Sequence, residues 1–327
     1  MALGTLGVAS FVLAALWILS DRLPPVARPA VSHEFPSYAA AMALIDSLRA
    51  HDDAQINPMC HPRVLTGGAR SDRVLVVFHG FTNCPKQFDL LAEAFSRIGY
   101  NVFMPRLPGH GMADRMSEDL RTLTAEDLVQ AGESAVEIAH GLGDHVTIMG
   151  LSSGAVLAAW LARNRTDIDC VVLIAPSFAP HGVPEPAARR LTSILRGLPN
   201  FFLWWDPRSR ENVLGPKQAY PRYASHALAE VYRLGFEVIE RPDLGRLAAK
   251  VVLITSAADE AVNNDLAFEL VRRWRSRGAD VRTFEFPAVQ GVRHDMIDPE
   301  QPYERTRVTY PVIEHLTVEG ERRGFHR

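Results

Sequence analysis

The sequence predicts an α/β fold in which a mostly parallel central sheet carries helices on both faces. Three observations lead there. Continuous apolar, β-branched runs such as Arg73-Val-Leu-Val-Val-Phe78 and Lys250-Val-Val-Leu-Ile-Thr255 suit strands buried on both faces. Between such runs lie segments with apolar residues at helical spacing, so strand and helix alternate along the chain. At one strand–helix junction stands Gly150-Leu-Ser152-Ser-Gly154, a serine on a tight turn flanked by glycines.

Composition bounds what such a fold can do. The 327 residues are 47% hydrophobic and 22% charged, the balance of a globular chain with a large core. A net charge of −3, with no long basic or acidic run, gives no footprint for nucleic acid. The three cysteines form no C-x-x-C pair, and no H-E-x-x-H occurs. Gly141-Leu-Gly143 lacks the third glycine and the preceding strand of a dinucleotide loop. The chain therefore calls for no metal and no cofactor.

Ala2 to Ser20 hold no charged side chain and are dominated by Leu, Ala and Val. As a helix this stretch spans about 28 Å, close to the ~30 Å of a bilayer's hydrocarbon core. Residues 1–22 thus read as an N-terminal transmembrane anchor or signal segment. The uncleaved anchor is favoured, because no basic residue opens the segment and Ala30-Val-Ser32 is a late cleavage site. The expectation is a membrane-anchored protein on a single helix, with the side of the membrane open. Residues 23–62 form a linker, stiffened by Pro24, Pro25 and Pro29, and a short helix. Residues 63–327 form the main domain.

In chain order, Tyr38, Met42, Ile45 and Leu48 have helical spacing, and Arg63-Val-Leu-Thr reads as an early strand. After Arg73–Phe78, a helix presents Phe88, Leu91, Phe95 and Ile98 and stops at Gly99; Tyr100–Met104 is the next strand. Thr124-Ala-Glu-Asp127 resembles a capping box ahead of Leu128, Ala131, Ala135, Ile138 and Leu142. The strand Val146–Met149, the Ser152 turn, an Ala-rich helix and the strand Cys170–Ala175 follow. The rhythm breaks over about 177–247, a proline-rich insertion containing Phe201-Phe-Leu-Trp-Trp205, best read as a lid. Alternation resumes with Lys250–Thr255, a helix around Asp265–Arg275 and the strand Val281–Phe286. A last helix near Thr309–Glu319 has Pro311 in its first turn and Gly320 past its end.

Glycines two positions either side of Ser152 spare a strained turn the Cβ atoms that would strike the neighbouring strand and helix. A serine hydroxyl becomes nucleophilic when a histidine takes its proton and an acid orients that histidine. On such sheets the partners follow in the order serine, acid, histidine, each just past a strand. Asp259 follows Val251–Thr255, with Glu260 as runner-up and a helix cap as its plain structural alternative. His294 follows the last strand by a short loop. The oxyanion of the tetrahedral intermediate needs two amides, and those of Ser153 and of Phe81, after His79-Gly80, are placed to serve. His79 reads as a structural hydrogen-bonding residue and Asp295 as a solvated loop carboxylate.

With these residues in hand, His79-Gly-Phe-Thr-Asn, Met104-Pro-Arg-Leu-Pro-Gly-His-Gly111, Gly150-Leu-Ser-Ser-Gly154, Asp259 and His294 resemble the α/β-hydrolase superfamily. The likeness is to serine esterases of the carboxylesterase and monoacylglycerol lipase type, from Arg73 onward. It implies the α/β-hydrolase fold, with the lid inserted after the strand that follows the nucleophile helix. It further implies a Ser152–Asp259–His294 triad and an oxyanion hole of the Phe81 and Ser153 amides. The implied reaction is hydrolysis of a small ester or lipid through an acyl-enzyme, on medium-chain or acylglycerol-like substrates. Two features depart from the pattern: Ser153, where many relatives carry a bulky residue, and the apolar N-terminus.

Three further readings stay open. A non-catalytic binding protein on this fold, or a peptidase or acyltransferase with the same triad, is compatible with the motifs. Trp204 and Trp205 either line the substrate entrance or only glue the lid down. Cys60 and Cys84 either form a bridge, tying the N-terminal segment to the loop that carries Phe81, or stay two buried thiols.

Overall fold

The computed structural model describes residues 23–29, 35–52, 54–241 and 250–322. Its centre is a seven-stranded sheet: β1 (Arg63–Leu65), β2 (Ser71–Phe78), β3 (Tyr100–Met104), β4 (Gly143–Leu151), β5 (Cys170–Ile174), β8 (Lys250–Ser256) and β9 (Asp280–Phe286). The spatial order is β1-β3-β2-β4-β5-β8-β9. Only the β1–β3 pairing is antiparallel among these, so six strands run parallel as the apolar runs require.

Alternate residues of the strands enter two separate cores. Val74, Val76, Ile148, Val171 and Leu253 face one side, Leu75, Val77, Met149, Val172 and Ile254 the other. Helices α1 (Tyr38–His51), α3 (Ala125–Leu142) and α4 (Ser153–Asn164) cover the first face, together with α6 (Ser225–Glu240) and α7 (Asn264–Ser276). Helices α2 (Asp89–Arg97) and α8 (Thr306–Arg322) cover the second. Local chemistry sets several helix starts. Thr124 and Asp127 make a reciprocal capping box at α3, and Asn263 caps α7 through Leu266 N.

Between β5 and β8 the chain adds α5 (Glu185–Gly197) and a small hairpin of β6 (Phe202–Trp204) and β7 (Arg222–Ala224), then α6. Helix α6 is buried along nearly its whole length, so it belongs to the core; the stretch before it lies over the sheet's carboxyl edge. Residues 242–247, the end of the expected insertion, lie outside the described residues.

Three expectations change. Helix α8 runs from Thr306 to Arg322, so Pro311 and Gly320 lie inside it. The Glu304 side chain accepts from Thr306 N at 2.9 Å and so sets an earlier start than the proline suggests. Residues 23–29, read as a stiff linker, are docked onto the domain. Val26 is buried, its amide meets the Glu237 carboxylate, and Arg233 binds the Pro24 and Pro25 carbonyls at 3.4 and 3.2 Å. Finally, the membrane-spanning assignment and the single-helix membrane localisation are withdrawn. No helix among the described residues is long and apolar enough to cross a membrane, and residues 1–22 lie outside them.

Cys60 and Cys84 form a disulfide, with Cα atoms 5.3 Å apart. Cys60 closes a short turn ahead of β1, and Cys84 sits in the loop after β2 that contains Phe81.

Candidate active site

The site forms where strand ends and following loops meet above the sheet. Ser152 joins β4 to α4 with φ 57° and ψ −115°, a left-handed backbone that a non-glycine residue rarely adopts. Close packing holds it there. A Cβ on Gly150 would lie 2.2 Å from the Gly154 carbonyl oxygen, and one on Gly154 would lie 2.1 Å from that of Phe78. The Ser152 amide donates to Ile174 O at 3.0 Å, which ties the turn to the end of β5.

Ser152 Oγ lies 2.9 Å from His294 Nε2, and His294 Nδ1 lies 2.8 Å from Asp259 Oδ2. Asp259 is buried, and its Oδ1 also accepts from the amides of Ala261 and Val262 at 2.8 and 3.3 Å. The acid thus orients the histidine while its second oxygen holds its own loop. Glu260 is exposed, and no hydrogen bond to His294 is found for it among the described residues.

Burial opposes charging of the His294 imidazole. The hydrogen bond and charge of Asp259, with the charge of Asp295, outweigh it and leave the histidine above its ordinary pKa. Burial likewise works against the Asp259 carboxylate, but the His294 bond and charge and the two amides hold its pKa below the ordinary value. A neutral imidazole whose Nδ1–H points at Asp259 leaves Nε2 free to take a proton from Ser152.

The Ser153 amide opens α4, where first-turn N–H groups have no intrahelical acceptor. The Phe81 amide follows Gly80, whose own N–H donates to Gln87 Oε1 at 2.8 Å. His79 is a buried, uncharged brace: burial pushes its pKa well down, Nδ1 donates to Gly80 O at 3.0 Å, and Nε2 accepts from Leu107 N at 3.1 Å. Asp295 is not a solvated carboxylate. It accepts from Gln87 Nε2 at 3.3 Å and Gln301 Nε2 at 3.1 Å, so Gln87 links the Gly80 loop to the loop of His294. Behind it, burial and the charge of Asp295 push the Asp298 carboxyl up to about 7.

A cavity of about 540 Å³ opens above Ser152 and His294. Phe81, Trp205, Val213, Leu214 and Tyr220 supply apolar wall, and Arg115, Arg293 and Tyr303 polar wall. Trp205 Nε1 donates to Thr82 Oγ1 at 2.9 Å, and its ring lies 4.3 Å from that of Tyr223. Trp204, by contrast, ends β6 paired with Arg222 and is not among the cavity residues. Trp205 lies one residue past the strand, its amide donating to Pro221 O at 3.0 Å, and is the one of the pair that lines the cavity. Sequence reasoning missed Arg115, Arg293, Gln301 and Tyr303 as wall residues; none stands in a motif. No cluster of metal-binding side chains is present among the described residues.

The fold, the strained serine and its hydrogen-bonded partners define a recognised class. The model of the alpha/beta hydrolase family matches residues 74–307, and the chain belongs to that family of hydrolases. Among curated relatives, it is similar to the thermostable monoacylglycerol lipase of Bacillus sp. strain H-257. The two are 29% identical over 207 residues, 60% of this chain and 75% of the relative. Among the solved structures that share the fold are two monoacylglycerol or monoglyceride lipases. The monoacylglycerol lipase of Paleococcus ferrophilus has 16% identity and a TM-score of 0.59, over 79% of this chain and 98% of that one. A soluble variant of the monoglyceride lipase of Saccharomyces cerevisiae, in complex with a substrate analogue, has 15% identity and a TM-score of 0.60. That match spans 80% of this chain and 91% of the yeast chain.

Proposed function

We propose that this protein is a serine hydrolase that cleaves carboxylic esters through an acyl-enzyme intermediate. The observation that carries the reading is the continuous hydrogen-bonded line from Ser152 Oγ through His294 to Asp259 at the floor of the cavity. Ser152 Oγ attacks the ester carbonyl carbon while its proton passes to His294 Nε2. Asp259 stabilises the imidazolium so formed. The carbonyl oxygen becomes an oxyanion, held by the amides of Phe81 and Ser153. Its collapse expels the alcohol, which takes the proton from His294 and leaves an acyl-Ser152. Water, deprotonated by His294, repeats the sequence and releases the acid. Each backbone donor contributes about a hundred- to a thousandfold in rate.

The mixed wall suits an amphiphilic ester. Phe81, Trp205 and Leu214 offer apolar surface to an acyl chain, at about 0.8 kcal/mol for each buried methylene. A cavity of about 540 Å³ is of ordinary size for a small ligand. The relatives named above, monoacylglycerol lipases among them, support acylglycerol-like or medium-chain esters as the substrate class. The segment before α6 would then act as the lid. Its Tyr220 amide donates to Thr82 O at 2.8 Å and so couples it to the loop of the Phe81 amide.

A fluorophosphonate probe tests the reading directly. It should label Ser152, and Ser152→Ala should lose labelling and about four to six decades of ester turnover. Turnover at near wild-type rate in the alanine variant would refute the assignment.

A further inference from the structure

Ester hydrolysis requires no cation at this cavity, yet two guanidinium groups line it together with Ser152 and His294. Arg115 is half-buried, and its Nε donates to Ala219 O at 2.7 Å, which fixes the guanidinium against the inserted segment. Of the other buried and half-buried arginines, Arg106, Arg165, Arg189, Arg196 and Arg233 each meet a carboxylate, while Arg222 meets the Met116 carbonyl and the Phe202 ring. Among the described residues Arg115 meets no carboxylate; burial alone acts on it and pushes its pKa down, with no acidic group offsetting this. Partial desolvation of an unpaired charge is unfavourable, and a bound ligand of opposite charge relieves it.

Arg293 approaches from another loop. It is exposed, and its Cζ sits 5.1 Å from the centre of the Tyr303 ring, a stacking that orients the guanidinium without using its N–H donors. The two carboxylates of the cavity wall are committed elsewhere. Asp206 accepts from Ser209 Oγ at 2.7 Å and Arg208 N at 2.8 Å. Asp295 accepts from Gln87 and Gln301. The uncommitted polar groups are therefore guanidinium N–H donors, whose planar fork matches a carboxylate or a phosphate.

We propose that Arg115 and Arg293 form an anion subsite, and that the preferred substrates are amphiphilic esters carrying a carboxylate or phosphate near the scissile bond. The proposal rests on the ester-hydrolase reading and narrows its substrate class. Both guanidinium groups share one cavity of about 540 Å³ with Ser152, so the anion and the ester belong to one small molecule.

The test compares kcat/KM within matched pairs. 1-Butyrylglycerol against its 3-phosphate places the anion on the alcohol side as phosphate. Ethyl pentanoate against monoethyl glutarate places it on the acyl side as carboxylate. The expected result is a preference for the anionic ester of about tenfold or more in at least one pair, the size of a charged hydrogen bond. That ratio should fall about tenfold in Arg115→Gln and in Arg293→Gln. Arg293 is on an exposed loop, so its variant serves even where the Arg115 variant folds poorly. A preference for the neutral ester in both pairs, or a ratio that neither variant lowers, would overturn the subsite. Failure of the underlying reading looks different: no hydrolysis of any of the four esters and no fluorophosphonate labelling of Ser152.

Discussion

Removing the Cys60–Cys84 bridge by the double change Cys60→Ala and Cys84→Ala perturbs stability and catalysis in separable ways. The cysteines are 24 residues apart in sequence and both are buried. Alanine leaves no unsatisfied hydroxyl in their place. On the chain-entropy account, opening a loop of this length costs about 3 kcal/mol, because the unfolded chain regains its freedom. At an unfolding entropy of about 2.1 cal/mol/K per residue, a domain of this size then loses about 5 °C in Tm. The bridge also pins the loop after β2, where Cys84 N donates to Asn83 Oδ1 at 2.9 Å and Asn83 N to Gly80 O at 3.2 Å. On the proposed mechanism that loop aims the Phe81 amide, so kcat should fall by less than the hundredfold expected for outright loss of an oxyanion donor. Thermal unfolding followed by circular dichroism, with and without reductant, reads the first effect; ester kinetics below Tm read the second. Reduced wild type should match the variant in Tm. A Tm within 2 °C of oxidised wild type would refute the stabilising role. An unchanged kcat would show that Gln87 and Tyr220 hold the loop without the bridge.

Two other outcomes follow from the same geometry. On the proposed mechanism His294 acts only when neutral, so activity should rise with pH through its pKa, which Asp259 and Asp295 hold above the ordinary value of about 6.5. Asp259→Asn removes part of that support. The acidic limb of kcat/KM should move to lower pH while the maximum falls by about four decades; a limb that stays or moves up contradicts the orientation described. Gly154→Ala would set a Cβ 2.1 Å from Phe78 O and 2.7 Å from His79 O, backbone atoms with nowhere to go. It should destabilise the protein by about 3 kcal/mol in denaturant titration, whereas Gly67→Ala, with nothing within 4 Å, should stay within about 0.5 kcal/mol. Equal effects at the two glycines would remove the packing argument for the serine turn.

Features that depend on neighbours in sequence were legible without coordinates. The parallel strands were written in runs such as Cys170–Ala175, the capping box in Thr124 and Asp127, and the strained serine in two flanking glycines. Asp259 and His294 were legible too, because each stands just past a strand end, and parallel strands bring such ends to one edge. What depended on folding was different in kind. That Trp205 rather than Trp204 reaches the cavity was settled by where the three-residue strand β6 ends, with Trp204 paired in the hairpin and Trp205 just beyond it. Helix α6 joined the core because α4 and the sheet offered it an apolar face, though its sequence lies in the segment read as a lid. Asp295 looked like a solvated loop residue until Gln87, 208 positions away in sequence, was packed against it. Arg115 and Arg293 lie 178 positions apart. Nothing local marks either as a binding group, since an unpaired guanidinium takes its meaning from which carboxylates the fold has left out of reach.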